Sequence, residues 1–115
     1  NSGGAAEEAA VLFLEEKGIR ILERNFRSYH GEIDIIAKDN EFLVFIEVKT
    51  RKNENYGRPI DAITFYKKKH FINSIEYYLY KNRIKNIPIR IDVIEVYEKS
   101  QNKFFINHVK NAIEK

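Results

Sequence analysis

A mixed α/β fold is the structure that this sequence of 115 residues predicts. Segments with a helical period are interspersed with short segments in which apolar and polar residues alternate. The chain is 43% hydrophobic, enough to form a core, and its length suits one domain spanning residues 1–115. The element order αβββαβ(β), with a short C-terminal helix, predicts a mixed sheet with helices packed against it.

The first half of the chain predicts one helix and three strands. Residues 1–4 lack an initiator Met, and we expect them to be a flexible lead or an expression remnant. The run of Ala, Leu and Glu that ends before Gly18 predicts a helix over residues 5–17. Strands are predicted at residues 19–26, 31–38 and 41–50, with Asp39-Asn40 as the turn between the second and the third.

The second half predicts a loop, a long helix and two strands. Residues 51–59 are polar and contain Gly57 and Pro59, which predicts an exposed loop. A helical period runs over residues 60–82, and a fourth strand follows Pro88. Residues 103–109 predict a short fifth strand, which a helical tail follows.

The composition excludes several classes of protein. Because the chain has no Cys, a disulfide scaffold, a thiolate zinc site, an iron–sulfur cluster and a Cys nucleophile are ruled out. No apolar run approaches the roughly 20 residues that span a bilayer, and no export signal is recognisable. We therefore expect a soluble, cytoplasmic protein without a membrane partner.

Charge is distributed unevenly along the chain. The formal net charge is +3. Residues 1–50 carry six basic and ten acidic side chains, whereas residues 51–115 carry fourteen basic and seven acidic ones. A basic second half suggests an anionic partner such as nucleic acid.

Charged side chains share one face of the third predicted strand. A period of two places Glu47 and Lys49 on the same face as Phe45. If the hairpin is centred on Asp39-Asn40, Asp34 lies opposite Phe45 and diagonal to Glu47, at roughly 7–8 Å. An odd number of turn residues would send Asp34 to the other face.

Two carboxylates and a lysine on a largely apolar face predict a metal site. Desolvation of these charges is costly unless a cation or mutual pairing compensates for it. Oxygen ligands favour Mg²⁺ or Mn²⁺, which activate water and polarise a phosphoryl oxygen, and Lys49 would stabilise the charge that develops. The alternative is a solvated sheet face on which Asp34, Glu47 and Lys49 form ordinary ion pairs.

Each predicted helix carries a charged residue on its apolar face. Glu7 falls within the stripe of Ala10, Val11 and Leu14. It is either a carboxylate directed at the same metal or a first-turn residue favoured by the helix dipole. Lys67 lies in the apolar stripe of the long helix, and it either points toward the acidic site or extends its aliphatic stem along the surface.

Other charged residues have simpler interpretations. Arg90 and Asp92 alternate on one face of the fourth strand, which favours a structural ion pair over a catalytic role. Glu32 is either a residue that supports the metal ligands or a solvated strand end. The three His residues, at positions 30, 70 and 108, are too dispersed to indicate a ligand set.

The motifs of the chain resemble those of the YraN-type family, small uncharacterised bacterial proteins regarded as nucleases distantly similar to archaeal Holliday junction resolvases. The resemblance covers most of the chain. It rests on E-xx-A-xx-FL at residues 7–14, NFR at 25–27, GEIDIIA at 31–37, VFIEVKTR at 44–51, YGRP at 56–59 and RIDV at 90–93. GEIDIIA and FIEVKTR have the spacing of the D-x(n)-E-x-K site of restriction-endonuclease-like nucleases.

The resemblance implies a restriction-endonuclease-like core that hydrolyses phosphodiester bonds in DNA with Mg²⁺ or Mn²⁺. It implies Asp34 and Glu47 as metal ligands and Lys49 as the catalytic lysine. Glu7 would be the acidic catalytic residue of the first helix and a further metal ligand. The implied substrate is branched DNA, such as a Holliday junction.

We expect basic side chains to bind the DNA and two copies of the chain to act together. The candidate DNA-binding residues are Arg51, Lys52, Arg58, Lys67, Lys68 and Lys69. Cleavage of both strands of a symmetric junction requires two active sites, so a homodimer is expected, with Tyr77, Tyr78 and Tyr80 as candidate interface residues. The alternative function is a catalytically inactive nucleic-acid-binding module on the same fold, and a plain structural protein ranks third.

Overall fold

A five-stranded mixed sheet lies at the centre of the protein. The computed structural model describes residues 4–51 and 65–113. The elements are α1 (Gly4–Glu16), β1 (Arg20–Ser28), β2 (Gly31–Asp39), β3 (Phe42–Arg51), α2 (Phe65–Lys81), β4 (Ile89–Ser100) and β5 (Lys103–Val109). The predicted fold class and element order are confirmed, including the fifth strand. The predicted loop and the start of the predicted long helix, residues 52–64, lie outside the described residues.

The strands lie in the sheet in the order β1-β2-β3-β4-β5. β3 and β4 run parallel, and the other neighbouring strands run antiparallel. A parallel pair needs a crossover connection, and α2 lies in the chain between these two strands. The described helices contain 13 and 17 residues, and neither has the length and apolarity to span a membrane.

Alternation along β3 divides the core between the two faces of the sheet, as predicted. Val44, Ile46 and Val48 pack under α1, whereas Leu43 and Phe45 pack under α2. The helical residues of these two clusters are Ala6, Ala10, Val11 and Leu14 of α1, and Phe71, Ile75 and Tyr78 of α2. Full burial of one such large side chain contributes about 1.5–3 kcal/mol, so apolar packing holds both helices on the sheet.

The β2–β3 hairpin turns one residue later than predicted. Asn40 and Glu41 form the turn, and Asn40 has a left-handed φ of 54°, which Asn tolerates better than most residues. Phe45 therefore pairs with Ile36, and the predicted position of Asp34 opposite Phe45 is wrong. Because the turn still contains two residues, the side chains of β3 keep their predicted faces.

β2 is kinked at Asp34, a feature that the sequence did not predict. The β1–β2 pairing skips Asp34 and the residue opposite, Asn25, which has a left-handed φ of 54°. Ile35 lies in the core under α1, but Ile33 lies in the core under α2. In a regular strand, residues two apart share a face, so the strand changes face at Asp34.

The chain after β5 ends in a turn over residues 110–113, where a helical tail was predicted. Asn111 has a φ of 54°, which interrupts a right-handed helix. Its backbone N–H donates to the Asp92 carboxylate at 2.9 Å, and the N–H of Ala112 donates to the carbonyl of Ile91 at 2.8 Å. These bonds attach the tail to β4 and place Ile113 in the core under α2. Residues 114–115 lie outside the described part of the chain.

The buried carboxylate of Asp92 joins β4, β5 and the tail. Arg90 donates to it through Nε and Nη2, each at 3.0 Å, and His108 Nε2 donates to it at 2.8 Å. Burial by itself would raise the pKa of Asp92, but the hydrogen bonds from His108, Arg90 and Asn111 hold it below the ordinary value. The predicted ion pair between Arg90 and Asp92 is confirmed.

The substitution Asp92→Asn should lower the free energy of unfolding by about 3 kcal/mol, because Arg90 keeps Asp39 as a partner but loses the second of its two carboxylates. Since the folded pKa of Asp92 is depressed, its contribution is present at neutral pH and is lost as the pH falls through that pKa. Urea denaturation at pH 7 measures the change. The matched control is Glu98→Gln, at an exposed position of the same strand. A loss no larger than that of the control would contradict the prediction.

Candidate active site

β2 and β3 separate just beyond the pair formed by Ile35 and Ile46. If the same register continued, Ile33 would lie opposite Val48. Instead, the backbone N–H of Val48 donates to Oδ2 of Asp34 at 2.8 Å. The Asp34 side chain thus satisfies a backbone donor where the strand pairing ends.

A cavity of about 300 Å³ lies at this separation. Its lining residues are Glu32, Asp34, Glu47, Val48, Lys49 and Thr50. The structure therefore brings together the three residues of the predicted D-x(n)-E-x-K site. Within this group, Lys49 Nζ lies 3.5 Å from Oε2 of Glu47.

The carboxyl group of Asp34 is held in an environment that disfavours its charge. Burial is the main cause, and together with the charges of Glu47, Glu32 and Glu7 it raises the pKa of Asp34 from 3.8 to about 6. The hydrogen bond from Val48 opposes this rise. A cation bound in the cavity would relieve the same repulsion.

The oxygen donors of the cavity fit a hard divalent cation. Mg²⁺ is usually held by one or two carboxylates together with water and substrate phosphate, and Asp34 and Glu47 supply two carboxylates. Within residues 4–51 and 65–113, no three acidic or histidine side chains converge closely enough to hold a metal ion. Water and phosphate oxygens would therefore complete the coordination.

Glu7 lies outside the lining of this cavity. It is buried on α1 and accepts hydrogen bonds from Arg24 Nε at 3.2 Å and from Asn25 Nδ2 at 3.1 Å. These contacts hold the left-handed residue Asn25, which lies across from Asp34 at the kink. Glu7 therefore contacts β1, and its predicted roles as a catalytic residue and as a metal ligand stay predictions.

Arg51 is directed at a buried acid that the sequence analysis did not single out. Its Nε lies 3.5 Å from Oε2 of Glu95, whose side chain is 2% exposed. Oε1 of Glu95 accepts a hydrogen bond from Asn107 at 2.8 Å. The signal for Glu95 was present, because an acid interrupts the apolar alternation of β4, as Glu47 does in β3.

The remaining predicted DNA-binding residues differ in their surroundings. Lys67 lines a second cavity that shares Glu32 and Glu47 with the first. Lys69 is exposed, and Lys68 is half-buried. Lys52 and Arg58 lie outside the described residues.

The matches to known proteins extend over nearly the whole chain. A UPF0102 protein of Clostridioides difficile is 46% identical over 110 residues, which cover 96% of this chain and 94% of that protein. A UPF0102 protein of Caldicellulosiruptor saccharolyticus is also 46% identical, over 111 residues and the same shares of the two chains. A third, from Persephonella marina, is 42% identical over 112 residues, which cover 97% of this chain and 92% of that protein. Residues 6–96, which include the whole cavity, match the family model described as Uncharacterised protein family UPF0102, and the chain belongs to this family.

Proposed function

We propose that this protein is a metal-dependent endonuclease that hydrolyses phosphodiester bonds in DNA. The observation that carries the proposal is the convergence of Asp34, Glu47 and Lys49 on one cavity where β2 and β3 separate. Hydrolysis of a phosphodiester needs an activated water molecule and stabilisation of the negative charge that develops on the phosphate. Two carboxylates and an adjacent lysine suit both needs.

The three residues would act in different ways. A bound Mg²⁺ or Mn²⁺ would polarise a phosphoryl oxygen of the substrate and lower the pKa of a bound water molecule. Asp34 and Glu47 would hold that ion, with Asp34 fixed in position by the Val48 N–H. Lys49, which contacts Glu47 at 3.5 Å in this structure, would stabilise the charge on the phosphate.

Branched DNA, such as a Holliday junction, is the proposed substrate, on the resemblance alone. A nuclease with this substrate would work in the cytoplasm, and paired cleavage of a symmetric junction would require a homodimer. Of the three tyrosines predicted at the dimer interface, Tyr78 packs in the core, whereas Tyr77 and Tyr80 are exposed. Tyr77 and Tyr80 therefore remain the candidates for contact with a second copy.

An inactive nucleic-acid-binding module is the second candidate function. The ion pair between Glu47 and Lys49 favours it, because this pairing compensates the Glu47 charge without a metal ion. The two functions differ in whether the carboxylates are needed for turnover or only tolerated in a binding surface.

Cleavage assays separate these two functions. With Mg²⁺ or Mn²⁺, the wild type should cut branched or duplex DNA, Glu47→Ala should lose cleavage, and Lys49→Ala should slow it by orders of magnitude. Metal-free DNA binding by Glu47→Ala should be equal or tighter, because a carboxylate that repels phosphate is removed. Gel assays and anisotropy in EDTA provide the two measurements.

The control for the cleavage assay is Glu41→Gln, at the exposed hairpin turn, which should retain full activity. Equal cleavage by all the variants would reveal a contaminating nuclease. Absence of cleavage by the wild type with either metal, together with intact DNA binding, would favour the inactive module.

DNA binding should be mainly electrostatic, and Lys69→Ala should reduce it. If Lys69 contacts a phosphate, its removal lowers the slope of log K against log salt by about one unit. The matched control is Lys103→Ala, at an exposed position of the edge strand β5. An unchanged slope for Lys69→Ala would place the binding surface elsewhere.

The raised pKa of Asp34 predicts a pH-dependent stability of the metal-free protein. Because the folded protein binds this proton more tightly than the unfolded chain, Asp34 stabilises the fold at low pH and loses that effect as the pH rises toward about 6. Asp34→Asn keeps an oxygen for Val48 and removes the charge. Relative to the wild type, this variant should gain about 2–3 kcal/mol between pH 4 and pH 7.5.

Urea denaturation in EDTA across this pH range measures the difference between the variant and the wild type. Glu41→Gln is again the control, and its difference from the wild type should vary less with pH. A constant difference for Asp34→Asn would show that Asp34 titrates in its ordinary range and would contradict the prediction.

A further inference from the structure

A second cavity, of about 360 Å³, adjoins the candidate active site. It lies between α2 and the start of β2, and it shares Glu32 and Glu47 with the cavity that contains Asp34. Its volume falls within the roughly 300–1,000 Å³ typical of small-molecule sites. A group bound here would therefore lie next to the carboxylates proposed to hold the metal.

Aromatic rings line this second cavity. Tyr66 and His70, one turn apart on α2, have ring centroids separated by 4.3 Å, and Tyr66 is 71% exposed. His30 is also in the lining, and His70 Nδ1 donates to the His30 carbonyl at 3.2 Å. Aromatic faces that remain accessible to solvent are the side chains on which nucleic-acid bases stack.

The cavity also contains a buried hydroxyl. Ser74 is fully buried and lines the cavity, and its Oγ has no hydrogen-bond partner among residues 4–51 and 65–113. Leaving a buried hydroxyl unsatisfied is costly, and most such groups are paired in folded proteins. A ligand with a polar edge would satisfy it.

We propose that this cavity receives an unpaired base of the DNA substrate, stacked against the aromatic pair of Tyr66 and His70, with its polar edge directed toward Ser74. The inference rests on the proposed nuclease function and specifies its substrate as DNA that contains an unstacked base. A base in the cavity would place its own backbone beside Glu47 and Asp34. Lys67 also lines the cavity, so it would lie near that phosphate backbone.

The test uses three short duplexes of one sequence, in EDTA so that cleavage does not interfere. One is fully paired, one carries an unpaired adenine, and one carries an abasic nucleotide at the same position. The abasic duplex has the same backbone defect but no base to stack. Fluorescence anisotropy gives the affinity of each.

The wild type should bind the duplex with the unpaired adenine about tenfold more tightly than the abasic duplex, because one base–aromatic stack strengthens binding by roughly that factor. Tyr66→Ala should abolish this preference, and the control Phe105→Ala, at an exposed aromatic residue of β5 outside this cavity, should retain it. Ser74→Ala should reduce the preference several-fold without lowering the free energy of unfolding.

Equal affinities of the wild type for the adenine and abasic duplexes would overturn the proposal, as would absence of binding to any duplex. So would an equal loss of preference in Tyr66→Ala and Phe105→Ala. Failure of the nuclease proposal gives a different result, in which cleavage is absent with metal while the preference for the unpaired adenine persists.

Discussion

The hydrogen bond between Asp34 and the backbone of Val48 is the interaction on which the site depends. It forms where the pairing of β2 with β3 ends, so it satisfies the Val48 N–H, which has no partner in the strand pairing. The kink at Asp34 and the left-handed Asn25 across from it belong to the same local distortion. The opening between the two strands becomes a cavity with Glu47 and Lys49 in its lining.

The rest of the fold is stable enough to hold the acidic side chains of this opening close together despite their mutual repulsion. Two apolar clusters hold α1 and α2 on opposite faces of the sheet, and Asp92 links β4, β5 and the tail through satisfied hydrogen bonds. At Asp92, partners stabilise the buried charge and lower its pKa, whereas at Asp34 burial and neighbouring acids raise the pKa. A charge that destabilises the fold is typical of a functional site, because its compensation comes from a ligand.

Period-two alternation predicted much of this arrangement from the sequence. It placed Glu47 and Lys49 together and divided the apolar residues of β3 between two faces, because the regular strand imposes that order. It failed where the backbone departs from regularity, at the hairpin turn on Asn40 and Glu41 and at the kink near Asp34. The cavity with Ser74 was also beyond prediction, since it depends on how α2 packs against the start of β2.

The proposed nuclease function requires that Asp34 and Glu47 hold a divalent cation where β2 and β3 separate. Crystals of the wild type can be soaked in Mn²⁺, and anomalous diffraction collected near the manganese edge then locates the ion. We expect an anomalous peak within coordinating distance of both carboxylates, and its absence from crystals of Asp34→Asn treated identically. A wild-type map without a peak between Asp34 and Glu47, in crystals that bind Mn²⁺ elsewhere, would contradict it.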